Sequence, residues 1–145
     1  MSEVYFDSAI VAKLYTAESN SAQAAALVSG YGAPYCLTAW QELEVRNALR
    51  LKVFRREITV EQLQESLAAL DCDIEAGRWE RPEYSVSDVQ REAERLSAKH
   101  ATTLGCRTLD ILHVAAAVVI GVKEFVTFDA RQGPLAKKAG LKVKP

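Results

Sequence analysis

Cysteine, histidine and proline are all scarce in this chain of 145 residues, which holds three, two and four of them respectively. Cys36, Cys72 and Cys106 are odd in number, widely spaced and free of any CxxC pair. That pattern suits reduced, buried thiols and argues against a disulfide framework or a zinc site, so a reducing, cytoplasmic setting is expected. Long apolar runs are missing too. The longest, Val114 to Ile120, is too short to cross a bilayer, and the opening MSEVYFDS has no basic region followed by an apolar one. Neither membrane spanning nor secretion is expected. An excess of one charge is also absent: a net charge of -1 and a pI near 6.1 argue against a protein that coats nucleic acid by bulk electrostatics, while leaving room for a local basic patch. No repeat, linker or low-complexity segment occurs.

What is present is a core. At 49% hydrophobic content the chain has the size and composition of one domain, able to bury ~70% of its unfolded surface. A single domain over residues 1–145 is therefore expected. Val4, Tyr5 and Phe6 suit a buried strand, with Ser8 capping a helix through Tyr15. Ala22 to Val28 reads as a second helix stopped by Gly30, and Tyr35 to Leu37 as another strand. Thr38 with Gln41 and Thr59 with Gln62 form capping boxes that open two long helices, a helical hairpin ending near Gly77. Trp79 to Tyr84 reads as a loop or weak edge strand, and Ser87 with Gln90 as a third box opening a polar helix to about Leu104. Thr108 starts an apolar helix stopped by Gly121, Glu124 to Phe128 forms a strand, and a short helix and a strand at Leu141 to Val143 close the chain. Strands separated by helices predict an α/β fold, a three-layer α/β/α sandwich around a mostly parallel central sheet.

Four carboxylates stand out against this frame: Asp7 after VYF, Glu44 in QELEVRNAL, Asp110 in LDILHVAAAVVI, and Asp129 after FVTF. In open parallel sheets, sites form beyond the carboxyl ends of strands, where Asp7 and Asp129 fall. Asp110 lies in a helix apolar nearly all round, and an unpaired buried carboxylate costs several kcal/mol unless something compensates it. Glu44 shares a helical face with Asn47, Ala48 and Leu51, whereas Glu42 lies on another face and reads as solvated. Taken singly, each acid has an ordinary explanation: a cap, a dipole partner or a surface ion pair. Taken together, four acids at one sheet edge would repel unless cations were bound. Oxygen-only ligands select hard ions, here one or two Mg²⁺ or Mn²⁺. Such ions activate water and neutralise a leaving oxygen, which is phosphodiester chemistry.

The stretches VYFDSAIVAKLY, ELEVRNALRL, RTLDILHVAAAVVIG and FVTFDARQGPLAKKAGLKV, in this order and spacing, resemble the PIN domain family, most closely its VapC-like ribonuclease toxins. The resemblance covers nearly the whole chain. It implies a metal-dependent endoribonuclease with Asp7, Glu44, Asp110 and Asp129 as metal-binding and catalytic acids. It also implies a homodimer, an RNA substrate and inhibition by a small antitoxin whose tail enters the groove.

Around these acids, Arg46, Asn47 and Arg131 are candidates for binding substrate or orienting ligands, and Ser8, His113 and Thr127 for supporting the acids from behind. Arg46, Arg50, Lys52, Arg55 and Arg56 form a basic stretch suited to RNA phosphates or to a solvated helix face. Trp40, Trp79 and Tyr84 could stack on bases, Trp79 foremost because it adjoins a loop. Asp71, Asp73 and Glu75 mimic the start of a calcium loop, but Ala76 stands where glycine is required. A DxD phosphatase would need an acid at Ala9. The alternative to a nuclease is a non-catalytic PIN-like module that binds RNA or a protein through the same groove.

Overall fold

The computed structural model describes residues 3–145. The described residues form a mixed α/β protein with seven helices: β1 (Val4–Phe6), α1 (Ser8–Lys13), α2 (Ser21–Ser29), β2 (Tyr35–Cys36), α3 (Ala39–Phe54), α4 (Val60–Glu75), β3 (Trp79–Glu80), α5 (Val86–Leu104), α6 (Thr108–Ile120), β4 (Glu124–Val126), α7 (Gln132–Lys138) and β5 (Lys142–Lys144). They fall into two compact units. One comprises residues 8–81; the other joins residues 3–7 to residues 82–145. Every strand pairing is parallel, yet the strands do not share one ladder. β1, β4 and β5 form a three-stranded sheet in the order β1-β4-β5, and the two-residue strands β2 and β3 pair with each other.

In the unit that contains β1, the strand order puts β4 in the middle, with Val4 opposite Glu124 and Phe6 opposite Val126. Val4, Tyr5 and Phe6 are all buried, as befits a strand of a parallel sheet covered on both faces. β5 is the opposite case: Lys142 and Lys144 flank Val143, a charge pattern that blunts an edge against further pairing. α6 buries Ile111, His113, Val114 and the small run Ala115 to Ala117. It packs extensively against α5, an amphipathic helix that buries Val89 and Leu96, seven residues and so two turns apart. Gly105 and Gly121 end α5 and α6 in the left-handed conformation, at φ of 66° and 88°, which only glycine adopts without strain.

In the unit of residues 8–81, α3 packs on α1 and on α4. Both expected capping boxes are present: Thr38 Oγ1 accepts from Gln41 N while Gln41 Oε1 accepts from Thr38 N, and Thr59 and Gln62 repeat the arrangement. Several expectations need correction. α5 begins after Ser85, whose Oγ accepts from Asp88 N, so the cap is two residues earlier than the Ser87 box. Ser87 Oγ instead meets Ser85 Oγ. Ser8 is the first residue of α1 itself and not a cap that precedes it. Trp79 is buried: its Nε1 donates to Tyr15 Oη at 2.6 Å, Tyr15 Oη donates to Asp73 Oδ2 at 2.6 Å, and its ring packs on Tyr35. It is a core side chain and has no face left for a base. Only Cys36 of the three free cysteines is buried, Cys72 being exposed and Cys106 half-buried.

Candidate functional site

The register of β1 on β4 dictates the first feature of the site. Because Phe6 pairs with Val126, the next residues, Asp7 and Thr127, emerge side by side past the carboxyl ends of neighbouring parallel strands. Asp7 N continues the ladder by donating to Val126 O at 2.9 Å, and Thr127 N donates to Lys144 O at 2.9 Å. Thr127 is buried, and its hydroxyl is fully used: Oγ1 donates to Asp7 Oδ2 at 2.9 Å and accepts from Asp129 N at 2.9 Å. Gln132 Oε1 lies 3.5 Å from the same hydroxyl. A hydroxyl has a single proton, and the closer, charged acceptor takes it. Asp129 in turn accepts from Arg131 N at 2.6 Å and Gln132 N at 3.1 Å, both on Oδ1, which ties the loop to the start of α7. Asp7, Thr127 and Asp129 thus form one hydrogen-bonded chain at the carboxyl edge of the sheet.

Asp110 reaches that edge by a different route. Lys123 N and Glu124 N, just past the end of α6, both donate to Glu3 O at the start of β1. The carboxyl end of α6 therefore lies at the amino end of the strand. Further back along the helix, Tyr5 Oη and His113 Nδ1 are 2.6 Å apart in a buried hydrogen bond. α6 consequently runs antiparallel to β1, and its first turn, with Asp110, points toward the end where Asp7 emerges. Three helical residues from His113 to Asp110 rise about 4.5 Å; two strand residues from Tyr5 to Asp7 advance about 7 Å. Asp110 and Asp7 therefore both lie toward the carboxyl end of β1. Asp110 Oδ2 also accepts from Arg107 N at 3.3 Å, closing the first turn of α6.

The other expected site residues divide sharply. Glu44 is half-buried and Asn47 exposed on α3, in the unit of residues 8–81. Arg46, expected to meet substrate, is bound by two carboxylates: Glu42 at 3.1 Å and Asp71 at 2.5 Å. Burial works against its charge, but the hydrogen bonds to Asp71 and Glu42 outweigh that and hold its pKa above the ordinary value. Glu42, expected to be solvated, is the centre of this cluster. It also accepts from Arg81 Nε at 3.0 Å and Nη2 at 2.9 Å, and Arg81 first, then Arg46, keep its pKa below the usual carboxylate range. Lys52 is likewise taken by Glu18 and Glu57. Of the basic stretch, Arg50, Arg55 and Arg56 remain exposed, as does Arg131 beside Asp129. Asp71 and Asp73 serve Arg46, Tyr15 and Arg78, so the calcium-loop mimic is an ion-pair scaffold.

Ser8, next to Asp7, has a buried Oγ without a hydrogen-bond partner among the described residues. An open depression of about 350 Å³ in the unit of residues 8–81 is lined by Pro34, Ile74, Gly77, Trp79, Glu80 and Arg81. Its one cation already faces Glu42, so it adds no reactive group. Burial, then Glu80, push the Cys36 thiol up to about 12, and burial, then Asp110, raise Cys106.

The donor set fits a hard cation. Asp7, Asp110 and Asp129 offer only oxygen, and His113 has its Nδ1 on Tyr5. Among the described residues no three carboxylate, imidazole or thiol groups are gathered closely enough to hold an ion between them. Sequence reasoning missed Tyr5 and Gln132. Both were hidden by ordinary surroundings, a strand of core aromatics and the first turn of a short helix. No protein-family model matches the chain, and a search of the curated proteins finds no match either.

Proposed function

We propose that this protein is a metal-dependent endoribonuclease with the three-layer sandwich of the PIN type. The observation that carries the reading is the Asp7–Thr127–Asp129 hydrogen-bonded chain at the carboxyl edge of a parallel sheet, with Asp110 directed to the same edge by α6. Asp7 and Asp110 hold the ion, Asp129 acts directly or through water, and Glu44 is the fourth acid on the strength of the family resemblance alone. A bound Mg²⁺ or Mn²⁺ supplies an activated water and neutralises charge on the phosphodiester. The chain's own contribution is positional. Thr127 fixes one oxygen of Asp7 by a charge-assisted hydrogen bond, and the Asp129 turn presents exposed Arg131 where a phosphate can be met. Arg46 has no part in meeting the substrate, because Glu42 and Asp71 occupy its guanidinium. The same reading carries with it an RNA substrate, a small antitoxin as inhibitor and a homodimer as the working form.

The test is cleavage of structured RNA by purified protein with and without divalent ions. Cleavage that needs Mg²⁺ or Mn²⁺, stops with EDTA and is abolished by Asp110→Asn at unchanged circular dichroism is the expected result. Cleavage that persists in EDTA would overturn the mechanism, and RNA binding without cleavage would favour a non-catalytic module.

A further inference from the structure

The mechanism above does not use the most deeply buried polar contact near the acids. Tyr5 and His113 are 0% and 1% exposed, and Tyr5 Oη lies 2.6 Å from His113 Nδ1. The contact is rigid on both sides. Tyr5 stacks on Phe125 of the neighbouring strand, with ring centroids 5.3 Å apart and planes 9° from parallel, while His113 meets Tyr5 edge-on at 5.8 Å. Either tautomer satisfies the bond: a neutral imidazole accepts the phenol proton at Nδ1, or an Nδ1–H donates to the phenol oxygen.

Its position is more informative than its strength. Tyr5 sits two residues before Asp7 on β1, and His113 sits three residues after Asp110 on α6. The chain path from Asp7 through Tyr5 Oη and His113 Nδ1 to Asp110 is therefore closed by a directional side-chain contact, whereas the neighbouring buried side chains of α6, Val114 to Ala117, are apolar. Apolar packing resists separation but tolerates small slides. A short buried hydrogen bond resists such slides, because slipping by even part of a residue lengthens and misaligns a directional contact made away from water.

We infer that Tyr5 and His113 are positioning residues that lock the register of α6 against β1 and so set the spacing of Asp110 from Asp7. The inference rests on the metal-site reading of those two acids. Groups that orient metal ligands from behind typically change metal affinity by about ten- to a hundredfold when removed, and this pair would act one step further back, through the backbone of each element.

The test is Mn²⁺ titration by calorimetry on the full chain, with thermal melting measured in parallel. Tyr5→Phe removes only the hydroxyl; His113→Leu removes the ring nitrogen; His113→Asn restores a polar group where Nδ1 stood. Leu70→Ala, a core truncation in the other unit, serves as a control for general destabilisation. The expected result is Mn²⁺ affinity weakened about tenfold or more in Tyr5→Phe and His113→Leu, recovery toward wild type in His113→Asn, and no change in Leu70→Ala. Wild-type affinity in Tyr5→Phe, or a loss shared equally by Leu70→Ala, would overturn the positioning role while leaving the metal site standing. Wild-type protein that binds no Mn²⁺ would remove the metal site and this inference together.

Discussion

Thr127 is the side chain on which the candidate site turns. Its hydroxyl donates to Asp7 and accepts from Asp129 N, so a single buried group orders two acids that lie 122 residues apart. Thr127→Val keeps the β-branched shape and removes the hydroxyl, leaving Asp7 Oδ2 without this donor and Asp129 N without this acceptor. We expect a loss of about 1–3 kcal/mol in chemical denaturation, together with weaker Mn²⁺ binding in calorimetry; an unchanged midpoint and unchanged binding would show that the contact is incidental. Asp7, Asp129 and Thr127 were legible in the sequence because a strand that ends in a polar residue announces where it emerges. Tyr5 was not, since an aromatic between Val4 and Phe6 gives no sign of the partner its hydroxyl meets. Arg46 and Trp79 misled for one common reason. A cation in a basic stretch and an indole beside a loop look available until the partners that occupy them, Glu42 and Asp71 in one case and Tyr15 in the other, are brought together by the fold.

Helices and strands are more legible in this sequence than their junctions. Two capping boxes and the glycine stops at Gly105 and Gly121 were visible because they are written in local chemistry. The start of α5 was misplaced because Ser85 and Ser87 both carry capping hydroxyls, and Ser85 accepts from Asp88 N in the folded chain. Which elements ion pairs would join could not be read at all. Glu42 and Arg46 of α3 reach Asp71 of α4 and Arg81 just beyond β3, bonds that span up to 39 residues. This cluster makes a prediction about pH. The folded pKa of Glu42 lies below its ordinary value, chiefly through its hydrogen bonds with Arg81 and despite partial burial. A depressed folded pKa contributes stability above the unfolded value, about 4.3, and that stability is lost as pH falls through the folded value. Glu42→Gln should therefore cost about 1 kcal/mol near pH 7, and the difference from wild type should shrink below about pH 4. Urea melts across that range check it; a pH-independent difference would assign the effect to packing.

At the scale of the whole molecule, the α/β class was readable from strands alternating with helices, and the division of the strands into two parallel sheets was not. β1 pairs with β4 across 120 residues, and parallel partners of three residues leave no mark on local periodicity. The two compact units follow from the same long-range pairing: β1 joins residues 82–145, while residues 8–81 form a unit with their own small sheet. No helix among the described residues is long and apolar enough to cross a membrane. Three of the four proposed acids, Asp7, Asp110 and Asp129, belong to the unit built on β1, β4 and β5. These three are the acids we propose as a site for a hard divalent cation. Calorimetric titration of wild type and Asp7→Asn with Mn²⁺ tests it most directly. Wild type is expected to bind saturably, with affinity falling at least about tenfold in the variant; binding that is absent in wild type, or equal in the two proteins, would rule the site out.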